Sequence, residues 1–400
     1  MLFRKIFIKI YFFYELSFLV FFILIPPLQA AIKIETKIID AVGNQPNIYD
    51  TFINNYTIPF NSSYMDATAN NNIGSVNYRY ALGKYEVTIA QYTAFLNSVA
   101  ASDPYGLWDW EMGDDPYEQP IIIRNGVSGS YSYSAVENNA SKPVVWVSWL
   151  DAARFANWLA NGQPNGAQSR FTTEDGAYTL NGVMADNIRI AKNSINPNTG
   201  EAVKYWLPNE NEWYKAAYYV EFTDYDATLK WYSDPYGDTY RSNIRDQYDR
   251  YYTTNSSIQQ ASFLTYLTNV GSLSPNFWGI YDMGGNVAEL IDSWVVYRWD
   301  NSGNVFYWND QMLDSLKSGD LQSSFFFSRI TRGTTFRSDV FAPLYAKDLA
   351  MVNDFVGFRI AGTPDTSMAP EPSQAASSCI IIIGLILYFI RNKFFYKENT

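Results

Sequence analysis

The chain has 400 residues, of which 47% are apolar and 18% aromatic, enough for a large core. Its net charge is −11, and it has one cysteine and no histidine. A phosphate backbone is repelled by that charge, and Ser-His-Asp catalysis, Cys-His catalysis and the usual nitrogen- or sulfur-ligated zinc, iron and copper sites are excluded. Any metal must be held by oxygen, which favours calcium or magnesium. In chain order, residues 1–30 come first. Arg4, Lys5 and Lys9 form a basic start, an apolar run follows from Phe18 to Pro27, and Ala30 supplies a small residue at the end. That pattern predicts a cleaved signal peptide, with an uncleaved anchor as the alternative. Residues 31–76 form a polar lead-in with Asn-Asn pairs and no helical period, predicting loops and short strands.

Three amphipathic helices are predicted next. The first follows Thr88 as N-cap and buries Tyr92, Phe95, Leu96 and Val99. The second follows Ser148, with Asp151 three residues on as in a capping box, and buries Trp149, Ala152, Ala156 and Leu159. The third begins near Asn209, with Glu212 three residues later and a stripe of Trp213, Ala216, Ala217 and Val220. Asp175-Gly-Ala-Tyr lacks the acidic spacing of an EF-hand. Asp224, Asp226, Asp234 and Asp238 read as solvated loop carboxylates. Strands are expected at 325–330 and 358–360. Few helices among long loops and short strands indicate an irregular α+β domain.

The C-terminus carries Pro-Glu-Pro at 370–372 within a linker over 363–378, a short apolar helix over 379–390 holding the single cysteine, Cys379, and a basic tail over 391–400 with Arg391, Lys393 and Lys397. Basic residues behind a short apolar helix are a stop-transfer pattern, positive side inward. The apolar stretch 375–390 is shorter than the ~20 residues of a full span. The order resembles the PEP-CTERM sorting signal, which implies delivery to the surface by an exosortase-type membrane protease. A plain C-terminal anchor is the alternative, and the ten residues after the helix depart from the usual signal.

Six boxes between about 80 and 361 resemble the formylglycine-generating (sulfatase-modifying factor) family. Leu82-Gly83-Lys84-Tyr85-Glu86-Val87-Thr88 is similar to its opening strand and helix, and Pro143 to Trp149 to its second signature. Trp206-Leu207-Pro208-Asn209-Glu210-Asn211-Glu212-Trp213 is similar to "R-L-P-T-E-A-E-W", and Gly279 to Glu289 to "G-L-Y-D-M-x-G-N-V-W-E-W". Arg332 to Phe336 resembles "R-G-G-S-F", and Gly357-Phe358-Arg359 the closing "G-F-R". The resemblance implies a loop-rich, C-type-lectin-like α+β domain over 77–362.

Catalytic members of that family oxidise a sulfatase cysteine to formylglycine with O2 and copper held by two cysteines. Here those positions are Ser338 and Pro343, so copper is not expected. The family's arginine-rich run is also missing from 339–354. The resemblance further implies structural calcium. One site is at Asn243 and Ile244; another is in the loop Gly285 to Glu289, with Asn286, Val287 and Glu289 as oxygen donors. The alternative is that Asn286 and Glu289 only bond the local backbone. Three functions remain open at this point: a binding or surface-structural module for a peptide or glycan, an enzyme of altered chemistry such as a carboxylate hydrolase, and a formylglycine generator by another route.

Overall fold

The computed structural model describes residues 31–46, 73–114, 119–184, 190–220, 267–299, 305–309, 325–333, 344–346 and 355–364. The chain divides into Met1–Ile32 and Lys33–Thr400, and everything below concerns the second unit. Asn243, Ile244, Ser338, Pro343, Pro-Glu-Pro and the 379–390 run all lie outside the described residues. Among the described residues no helix is long and apolar enough to cross a membrane.

All three helices begin with reciprocal capping boxes, in which cap and third residue each satisfy a free donor of the other. They are α1 (Ile89–Val99, boxed by Thr88 and Gln91), α2 (Trp149–Ala160, by Ser148 and Asp151) and α3 (Glu210–Tyr218, by Asn209 and Glu212). Two features differ from the sequence reading. α2 buries its apolar stripe as expected, but its polar Asp151, Arg154 and Asn157 are buried as well. The loop over 163–184 covers that face and satisfies it. Arg154 pairs with Glu174 at 2.8 Å, and Asn157 Nδ2 donates to the Thr173 and Tyr178 carbonyls. α3 stops at Tyr218, because Tyr219 turns extended while its N–H still bonds Lys215 O, so buried Val220 lies beyond the helix.

The strands form two sheets and a hairpin. β1 (Thr36–Ile39), β2 (Tyr80–Gly83), β11 (Ala361–Gly362) and β5 (Tyr205–Trp206) make an antiparallel sheet in that order. Part of the polar lead-in is thereby joined to the domain through β1. The second sheet runs β10 (Val356–Phe358), β6 (Ala288–Trp299), β8 (Phe325–Arg332) and β9 (Leu344–Ala346), with β7 (Val305–Asn309) also on β6. β10 is parallel to β6; the other pairings are antiparallel. β3 (Ile122–Asn125) and β4 (Ser132–Ala135) form the hairpin. The expected strand at 325–330 is β8. That at 358–360 is shorter, since only Phe358 belongs to β10.

α1 and α2 meet through aromatic rings. Phe155 contacts Phe95 and Phe358 edge to face, each with centroids 5.3 Å apart, and Tyr92 stacks on Phe155 at 6.1 Å. Such offset and edge-on contacts exploit the ring quadrupoles. Gly357 leaves room for the close approach of β10, because a Cβ there would lie 2.6 Å from Val144 O.

Candidate functional site

The sequence boxes converge on one buried, charged centre. Arg359, from the Gly-Phe-Arg box, donates through Nε to Glu289 Oε2 at 2.6 Å and through Nη2 to Glu289 Oε1 at 2.5 Å. Its remaining donors reach the Gly83 and Tyr281 carbonyls at 2.9 and 3.0 Å. Trp213 Nε1, on α3, donates to the same Glu289 carboxylate at 2.7 Å. Glu86, between β2 and α1, accepts from Asn286 Nδ2 at 2.9 Å and from the Val287 N–H at 3.3 Å. The turn that carries Asn286 is left-handed at Asp282 (φ 59°), Gly285 (φ 98°) and Asn286 (φ 57°), conformations that Gly, Asn and Asp tolerate best.

Among the described residues the centre gathers more carboxyl groups than cations. Glu86, Asp282 and Glu289 face one guanidinium, that of Arg359, and all four are buried. Burial, with Asp282 and Glu289 alongside, raises the Glu86 carboxyl well above the usual range, against the opposing pull of Arg359 and the Val287 N–H. Burial likewise raises Asp282 to about 6, although the Gly271 N–H and Arg359 oppose it. Asp282 Oδ2 accepts from Gly271 N at 2.7 Å, while its buried Oδ1 has no hydrogen-bond partner among the described residues.

Two further polar clusters flank the centre. Glu212 of α3 is buried and accepts from Tyr78 Oη at 2.7 Å, from Trp206 Nε1 and from the Asn209 N–H. A β-bulge in the β6–β8 pairing between Leu290 and Trp294 frees residues 291–293 from the ladder. Asp292 then meets Arg329 at 2.5 Å and Tyr178 Oη at 3.2 Å, while Ser293 Oγ accepts from Glu210 N. Arg329 also lies 3.5 Å over the Trp149 ring, and Arg332 pairs with Glu210.

Of the residues singled out from sequence, the structure places Asn286, Val287 and Glu289 on one turn in this centre. Their side chains are already engaged: Asn286 Oδ1 accepts from Thr268 N at 3.2 Å, and Glu289 serves Arg359 and Trp213. The buried carboxylate oxygen in this centre without a hydrogen-bond partner among the described residues is Asp282 Oδ1. Among the described residues no group of three or more Asp, Glu, Cys or His side chains could hold a metal ion. Glu86, Asp282 and Arg359 were present in the boxes, but their meeting from distant stretches of the chain leaves no local signal.

A separate cup of about 490 Å3 opens beside the start of α3. Pro46, residues 75–78, Asn209 and Asn211 line it. Sequence reasoning missed it because its walls come from three distant segments. The available hint was that Asn209 and Asn211 stand where the family box has Thr and Ala.

Residues 61–364 match the family described as "Sulfatase-modifying factor enzyme 1-like domain". The chain belongs to that family. Its loop-rich α+β architecture is the C-type-lectin-like fold of sulfatase-modifying factors. Among solved structures, the chain is similar to CarF (18% identity, 83% of this chain and 99% of that one, TM-score 0.40). It is also similar to Treponema denticola variable protein 1 (19%, 83% and 96%, TM-score 0.39) and to PvdO from Pseudomonas aeruginosa (16%, 72% and 82%, TM-score 0.33). No curated protein matches the chain.

Proposed function

We propose that this sulfatase-modifying-factor-like chain is an exported, surface-held protein that acts by binding a ligand or by building the envelope or matrix, and that it does not oxidise cysteine. The observation that carries this is the donor set. Ser338 and Pro343 stand at the two copper-cysteine positions, and the one cysteine of the sequence, Cys379, belongs to the C-terminal apolar run. A hydroxyl does not replace a thiolate for Cu(I), and proline brings no side-chain donor. The residues therefore do not fit copper.

The buried centre supports the same reading. Arg359 and Glu289 hold one another and tie β2, α3, β6 and β10 together, so the signature boxes serve the scaffold. Export rests on the basic and apolar start, and surface delivery on Pro-Glu-Pro, the short apolar run and the basic tail. Exosortase-type machinery and the membrane are the partners this implies. The acidic charge argues against nucleic acid. A structural calcium belongs to the proposal as well, supported by the carboxyl groups gathered around Arg359 and by Asp282 Oδ1, which has no hydrogen-bond partner among the described residues.

The deciding experiment incubates the purified chain with a cysteine-containing sulfatase peptide, Cu(I) and O2, and reads the peptide by mass spectrometry. No conversion is expected. Formation of formylglycine overturns the non-oxidising reading and restores the family's enzymatic function.

A further inference from the structure

We infer that the cup beside α3 binds a neutral sugar of about hexose size. The inference rests on the binding reading above and gives it a place and a ligand class. At about 490 Å3 the cup falls within the size range of small-molecule sites. Among the described residues no Lys, Arg, Asp or Glu lines it, so a charged ligand finds no counter-charge among them.

Its polar groups suit hydroxyls, which both donate and accept. Exposed Asn77 spends neither its carbonyl nor its NH2 on the described residues. Asn211 accepts from Gly74 N at 2.8 Å through Oδ1, which leaves its NH2 as a donor. Ser75 Oγ donates to Asn44 O at 2.8 Å and keeps its lone pairs.

Tyr78 supplies an apolar surface among them. It is 42% exposed, yet its hydroxyl is held by Glu212 and its ring stands edge-on to Tyr80 at 6.2 Å. The ring is thus fixed before any ligand arrives, which removes an ordering cost. Its electron-rich face complements the C–H face of a pyranose.

A peptide is served less well. Among the described residues that line the cup none belongs to a strand, so they offer no sheet edge. Val76 beneath it is buried and leaves no apolar socket for an anchor. Asn209 and Asn211 replace the Thr and Ala of the family box, so the amide wall is a property of this chain and not of the box.

The test titrates the full-length chain, by saturation-transfer NMR and calorimetry, with the methyl glycosides of glucose, galactose, mannose and N-acetylglucosamine. A capped tripeptide and methyl glucuronide serve as comparisons. At least one neutral glycoside should bind in the millimolar range, with the glucuronide weaker. Asn77→Ala and Tyr78→Ala should each weaken binding by roughly tenfold. Tyr78→Ala also removes a hydrogen bond to buried Glu212, so Asn77→Ala, whose side chain bonds none of the described residues, is the decisive variant. It should leave the thermal midpoint unchanged. Failure of all four glycosides to bind, equal affinity in Asn77→Ala, or binding of the tripeptide alone overturns the inference. Formylglycine formation would sink the binding reading without touching the cup, and matrix binding indifferent to Asn77→Ala would sink the cup alone.

Discussion

Arg359→Met is the perturbation that most directly tests the buried centre. Arg359 is fully buried and its pair with Glu289 is bidentate, with both side chains at most 1% exposed. Methionine is similar in length but brings no charge and no N–H. Removing one member of a buried pair strands the other, at a cost of about 3–5 kcal/mol. The Gly83 and Tyr281 carbonyls also lose a donor, roughly 1 kcal/mol each if buried and unmet. Glu86 and Asp282 would then face Glu289 with no cation among them, which adds repulsion. The expected loss is about 5 kcal/mol, comparable to the whole stability of many domains. Urea unfolding at unchanged slope is the assay. Arg359→Met combined with Glu289→Gln removes both charges while the glutamine oxygen still accepts from Trp213. The double variant should recover at least about 2 kcal/mol relative to the sum of the single losses. A single-variant loss under about 1 kcal/mol, or strict additivity in the double variant, would refute the account of this centre as a mutually dependent charge cluster.

Three other outcomes are expected. Chelator should lower the thermal midpoint by several degrees if calcium sits near Asp282, since a ligand at about a hundredfold excess over Kd contributes about 2.7 kcal/mol; Asp282→Asn should abolish that sensitivity, and an unchanged midpoint removes calcium from the proposal. Burial raises Asp151 to about 7 despite its bonds to Ser148, whereas it titrates near 3.9 when unfolded. The folded state therefore holds a proton that the unfolded chain has released, and stability should fall as pH rises from about 4 to about 7, by up to about 4 kcal/mol; Asp151→Asn should flatten that slope in pH-dependent urea melts. Fractionation with intact-mass measurement should find an envelope product lacking the first 30 residues and cut near 370–378; a cytoplasmic product beginning at Met1 refutes export, and a membrane product retaining Thr400 refutes sorting.

Local chemistry made the helix starts readable. Thr88, Ser148 and Asn209 each carry their box partner three residues on, and a cap is a matter of four consecutive residues. The buried polar face of α2 was not readable, because its partners Glu174, Thr173 and Tyr178 come from a loop without periodicity. A short strand was expected in the lead-in, but the place of β1 in a sheet was not readable, for a related reason. Thr36–Ile39 has the burial pattern of an edge strand, mostly open, and owes its place to pairing with Tyr80–Gly83 some forty residues on. In the candidate site, the Gly285 to Glu289 turn was visible as a box, but its role was not. Asn286 and Glu289 look like cation donors until Glu86 and Arg359 arrive from the other ends of the domain. The cup depended on Ser75 to Tyr78 meeting Asn209 and Asn211, a contact without any local period.

The burial of Arg359 against Glu289 bears on how any relative of this chain is recognised. Arg359 and Glu289 stand in two of the boxes by which the chain resembles its family and are held in the buried centre, whereas the cysteine positions that the resemblance implies, Ser338 and Pro343, lie outside the described residues. Selection for foldability alone can preserve the first set while the second drifts. Membership of this family is thus a measurement of architecture, and a claim of oxidase activity for any member requires the two thiols to be checked by name.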